Sequence, residues 1–89
     1  MRYQIMLKDG LEKKGYTLNK AAQLVYERFG MHITSTYISK LRSGSKPPAT
    51  DDLNEAIAKI LEIDSIEFRR AAYIEKIPND LLEGIAIAQ

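Results

Sequence analysis

The chain of 89 residues predicts an all-α fold, a compact bundle of about five helices. Three observations predict it. Apolar residues recur three and four positions apart in successive segments, the period that lines one face of a helix. The segments are punctuated by capping residues, glycines and prolines. No stretch alternates with the period of two that a half-buried strand needs. Hydrophobic residues make up 45% of the chain, enough to argue against disorder, and the length fills one core and not two.

The first helix is expected from about Tyr3 to Lys14, with Leu7 and Leu11 on its buried side and Gly15 stopping it. Thr17 then serves as an N-cap for a second helix, in which Leu18, Ala21, Ala22, Val25 and Phe29 repeat at helical spacing as far as Gly30. Gly30 is placed to reverse the chain at positive φ. Gly30 to Ile33 gives a turn of about four residues before the third helix. Thr34 caps that helix, Ile33 packs on Ile38 as a hydrophobic staple, Ile38 and Leu41 mark its inner stripe, and Gly44 ends it.

Pro47 and Pro48 prevent the loop after Ser43 from continuing helically. The fourth helix starts at Thr50, with Asp51 and Asp52 in the first turn where the helix dipole favours carboxylates, and Leu53, Ile57, Ile60 and Leu61 form its apolar stripe. The fifth opens on Asp64 as cap, with Glu67 three residues later to complete a capping box and Ile63 stapled to Phe68. Residues 1–76 thus read as one domain and residues 77–89 as a tail.

The run Thr34-Ser-Thr-Tyr-Ile-Ser-Lys-Leu-Arg-Ser-Gly44 carries the most functional information. With Ile38 and Leu41 turned inward, Ser35, Thr36, Ser39, Lys40 and Arg42 occupy the rest of the helix surface. Short hydroxyls followed by long cations suit the major groove of DNA, where hydroxyls approach base edges and phosphates and a lysine reaches guanine acceptors. Read alone, the same face also suits plain solvation.

This string, together with the helix and turn before it, resembles the helix-turn-helix of the Xre-type, phage-repressor-like regulators. Their recognition helix commonly reads Ser-x-x-Tyr-Ile-Ser-Lys-Leu, a polar pair and Gly; Thr34, Tyr37, Ile38, Ser39, Lys40, Leu41 and Gly44 fall on that pattern. The similarity runs from about Leu7 to about Phe68, with a second helix about one turn longer than in compact members. It implies a repressor-like DNA-binding fold, base contacts from Ser35, Thr36, Ser39 and Lys40, and symmetric dimers on paired half-sites. Backbone contacts are expected from Thr17, Asn19, Lys20, Thr34, Tyr37, Arg42 and Lys46. Tyr37 is expected to lean its ring on the second helix and present its hydroxyl to the DNA backbone; core filling is the competing role.

The net charge of +1 hides an uneven distribution. Residues 1–50 carry nine basic side chains against three acidic, a surplus of six, and residues 51–89 carry four against nine, a deficit of five. One DNA-facing side and one side turned away from phosphates would produce that split, as would chance clustering in so short a chain.

Other chemistry has little to stand on. The chain has no cysteine, which removes disulfides, thiolate catalysis and cysteine-based zinc sites. His32 is the sole histidine, expected in a structural or phosphate-side role, and Asp51 and Asp52 point different ways as helix neighbours. No glycine-rich phosphate loop or nucleophile elbow is present. Neither enzymatic activity nor a cofactor or metal is therefore expected. No apolar run approaches a membrane span and no signal peptide is evident, so the expected location is the cytoplasm, at the nucleoid.

In the tail, Ile77, Leu81, Leu82 and Ile85 are spaced for one helix face, with Pro78 at an N1 position. With Tyr73 they form the expected dimerisation surface; packing on the fifth helix and a lead into a further domain or protein partner are the alternatives. The function expected is sequence-specific binding of double-stranded DNA as a transcriptional regulator, in the first instance a repressor. A protein-interaction module on the same fold and a nucleoid-associated protein of weak sequence preference are its rivals.

Overall fold

A computed structural model of the chain describes residues 2–77. Five α-helices make up its regular structure, with no strand among the described residues: α1 Arg2–Lys14, α2 Leu18–Phe29, α3 Ser35–Ser43, α4 Asp51–Leu61 and α5 Ser65–Lys76. The all-α expectation holds for these residues: the starts of all five helices and the ends of the first three fall within one or two residues of their expected positions.

Turn chemistry sets the boundaries. The Thr17 hydroxyl oxygen accepts from the Lys20 N–H at 3.0 Å and that of Thr34 accepts from the Tyr37 N–H at 3.0 Å, so each first turn keeps one fewer unpaired amide. Gly30 and Gly44 end α2 and α3 at φ 69° and 85°, in the left-handed region where a side chain is strained. Two caps depart from expectation. Thr50 stands at the N-cap of α4 without a side-chain cap hydrogen bond. The capping box of α5 is only half made: Asp64 accepts from the Glu67 N–H, but the Glu67 carboxylate turns to Arg2 and Arg70, because two guanidiniums attract it more strongly than one neutral amide.

α4 is the central strut. Seven of its eleven residues are buried, and it packs on α1, α2 and α5. The expected stripe of Leu53, Ile57, Ile60 and Leu61 is all buried, and Asn54, Ala56 and Ala58 join it. Each fully buried Leu or Ile removes enough apolar area from water to contribute roughly 1.5–3 kcal/mol, so this one helix supplies much of the driving force for folding. α1 contributes Tyr3, Leu7, Gly10 and Leu11 to the same core. Gly10 is there for space: a Cβ would stand 3.2–3.3 Å from Leu61 and Ile63, so α1 passes tightly against the end of α4.

α3 joins the core from outside, packing on α1 and α2 through Ile38 and Leu41. Ile33 and Ile63 lie half-buried against the same cluster, as expected of staple residues. Phe29 corrects the stripe expected on α2: it is 37% exposed, and the inner positions are Ala21, Leu24 and Val25. At the last turn of α2 the phenyl ring clears the core and lies beneath the Lys59 ammonium, 5.9 Å from the ring centroid.

Candidate functional site

α2 and α3 pack on each other across the five residues Gly30–Thr34. The fully buried stripe of α3 is narrow, two of its nine residues, and four others lie exposed. Thr36 and Lys40, one turn apart, are exposed, and Arg42 is exposed beside them. Ser35 and Ser39 are half-buried at the flanks, less open than the expected base-contacting role assumed, because each adjoins the line where α3 meets its neighbours. Tyr37 is half-buried against the core, in keeping with a ring that leans inward.

The expected backbone-contacting residues sit at helix ends. Thr17, Asn19 and Lys20 are exposed at the start of α2, and Thr34 is exposed at the start of α3. Both threonines use their oxygen as a cap acceptor, which leaves the O–H free to donate outward, and each lies where the helix dipole favours an anion. Lys46 is exposed on the loop between α3 and α4. That loop is tied back to α3: the Lys46 N–H donates to the Lys40 carbonyl at 3.3 Å, which also accepts from the Ser43 hydroxyl at 3.2 Å.

Ion pairing separates two groups of cations. Lys59 pairs with Glu55 at 3.2 Å, Arg70 with Glu67 at 2.6 Å and Arg2 with Glu67 at 3.0 Å, while Lys14 pairs with Glu62. Arg69 grips Asp51 through two hydrogen bonds of 2.9 and 2.7 Å, and those bonds hold the Asp51 carboxyl below the usual aspartate value. By contrast, among the described residues Lys8, Lys13, Lys20, Arg28, Lys40, Arg42, Lys46 and Lys76 enter no ion pair. Lys76 donates instead to the Ala49 carbonyl. The other seven belong to the first half of the chain, and four of them are expected contact residues. Their charge is available to an external anion.

Two features were not anticipated from the sequence. Asn54 is a fully buried polar side chain held by Tyr3, whose phenol donates to Asn54 Oδ1 at 2.6 Å while its ring stacks on Phe68 at 4.6 Å. Burial pushes the Tyr3 phenol well above its ordinary value, so it remains a donor. The spacing contained the signal, since Asn54 stands three before Ile57 and seven before Leu61, and Tyr3 four before Leu7. The second is a tilted contact of His32 with Tyr26, ring centroids 4.4 Å apart and planes inclined by 43°, which gives the histidine a structural partner in the turn.

Of the expected dimerisation residues, Tyr73 is 58% exposed on α5 and Ile77 is half-buried just beyond it. Leu81, Leu82 and Ile85 lie outside the described residues. No described helix is long and apolar enough to cross a membrane, and among the described residues no three His, Asp or Glu side chains gather as metal ligands would. Compared with protein-family models, with curated proteins and with solved structures, the chain matches none.

Proposed function

We propose that the chain binds double-stranded DNA sequence-specifically through α2, the Gly30–Thr34 turn and α3 acting as a helix-turn-helix, with α3 entering the major groove, and that it regulates transcription in the manner of a repressor. One observation carries the reading: the exposed face of α3 and the loop after it display Lys40, Arg42 and Lys46 without internal counter-ions, whereas the cations of α4 and α5 are engaged within the protein. Unengaged cations beside exposed hydroxyls are what a phosphate backbone and base edges require. In this reading Thr36 and Lys40, flanked by Ser35 and Ser39, meet bases. Thr17, Asn19, Lys20, Thr34, Tyr37, Arg42 and Lys46 set the register on phosphates.

A single domain of this size reads few base pairs, so two copies on paired half-sites complete the proposal. Tyr73 and the tail stripe would join them. Replacing Leu81 and Leu82 together by Asp is then expected to weaken both self-association and operator affinity, which sedimentation and binding isotherms would measure.

Selecting binding sequences from a random duplex pool tests the whole reading. An enriched palindrome supports a dimeric sequence reader; binding without enrichment favours the nucleoid-associated alternative. A protein-interaction role draws on a different observation, the groove on α5 lined by Ile66, Arg69, Arg70 and Tyr73. It would take over if no duplex is retained even at low salt.

A further inference from the structure

We propose that Tyr3, Asn54 and Lys76 form a clamp that positions the Lys46 loop for phosphate contact, a role that rests on the DNA-binding reading above. The clamp closes on one residue, Ala49, which is 2% exposed. The Ala49 N–H donates to the Tyr3 hydroxyl at 3.4 Å, and its carbonyl accepts from Asn54 Nδ2 at 2.9 Å and from Lys76 Nζ at 2.8 Å. Tyr3 also donates to Asn54 Oδ1, so side chains from α1, α4 and α5 converge on the two backbone groups of a single loop residue.

Between this anchor and Lys46 stand only Pro47 and Pro48. Proline fixes φ and restricts the residue before it, so displacement at Ala49 cannot be absorbed freely along the way. On its other side Lys46 is tied by its own N–H to the end of α3. Its backbone is thus held at both ends, by the recognition element and by the core, while its side chain is exposed. Positioning a cation in advance lowers the ordering cost of placing it against a phosphate.

The clean test is Tyr3→Phe, which removes one oxygen, leaves the ring and changes no charge. It is combined with Lys46→Ala in a double-mutant cycle on duplexes taken from the pool selection. Tyr3→Phe should weaken matched and mismatched duplexes by the same factor. Lys46→Ala, costing about fivefold in the parent, should cost less than about twofold in the Tyr3→Phe background. Independent, multiplicative losses would overturn the positioning role, since a merely structural defect does not alter what Lys46 contributes. Amide exchange without DNA supplies a second readout: the Ala49 and Lys46 amides should exchange faster in Tyr3→Phe while those of the α4 interior do not. Unchanged loop exchange would refute the clamp. If the parent retains no duplex, the phosphate role falls with the DNA reading, and exchange alone decides whether the clamp holds the loop. Should Tyr3→Phe fail to fold, Lys76→Met carries the same cycle from the exposed end of the network.

Discussion

α3 and α4 are consecutive helices of nine and eleven residues, and they divide the work of the molecule between them. α4 turns seven residues inward, including an asparagine, and α3 turns in two. The basic residue of α4, Lys59, is paired with Glu55, whereas Lys40 and Arg42 of α3 enter no ion pair among the described residues. A helix that is mostly buried stabilises the fold and has little surface left to present; one attached by a narrow stripe contributes less to stability and leaves side chains open for the contacts proposed above. The contrast therefore separates residues whose replacement should unfold the protein from those whose replacement should silence it.

The largest effect is expected from Ile57→Ala, which leaves a cavity at the centre of α4 and should cost about 2–5 kcal/mol of stability. Thr36→Ala on the exposed face of α3 should stay within about 0.5 kcal/mol in the same denaturation experiment. Similar losses from both would erase the division between the helices.

The proposed DNA binding would sharpen the contrast within the α3 region. Lys40→Ala is expected to cost about 1–3 kcal/mol on the preferred duplex and to flatten discrimination at one base position. Lys46→Ala should weaken all duplexes alike and reduce the salt slope by about one unit per bound subunit. Isotherms over a salt series, on matched and mismatched duplexes, distinguish them. An equal loss from Lys40→Ala on every sequence would make α3 a phosphate clamp and not a reader of bases.

The turn that sets α3 against α2 comes next. Gly30 lies at φ 69°, and a Cβ added there would meet nothing within 4 Å, so the strain of Gly30→Val is conformational and not a clash. A loss of about 1–2 kcal/mol, read as a lower Tm, is expected. Gly30→Asn should cost less, because Asn tolerates this region. Identical melting for all three proteins would show that the left-handed turn is not what holds the two helices in place.

The smallest effect concerns the first turn of α4. Asp51 is bound by Arg69, which lowers its carboxyl pKa below the unfolded value, so its contribution is present above that value and is lost as the pH falls through the lower, folded one. Asp51→Asn should therefore lower Tm modestly at pH 7, with the gap to the parent closing as the pH drops below about 4. A gap that widens in acid would mean that the pair does not stabilise the fold.

Local chemistry was legible along the chain because its causes are local. Thr17, Thr34 and Asp64 cap helices in the places their side chains suggest, and Gly30 and Gly44 take the left-handed conformation that glycine permits. The exposure of Lys40 followed from the period that buries Ile38 and Leu41. These features depend on neighbours three or four residues away, which the sequence displays directly.

Only the tertiary structure decided the rest. Tyr3 finds Asn54 fifty-one residues later, Arg69 finds Asp51, and Lys76 finds the carbonyl of Ala49. Glu67 forgoes the capping box for Arg2 and Arg70, and only Arg70 was within reach of a local reading. The sequence by itself determined the helices, their starts, the glycine-marked ends of the first three and the polar face of α3, since backbone propensity and periodicity act over a single turn. Which cations are paired and which remain open to a partner depends on how five helices meet in space, and no local period encodes that meeting.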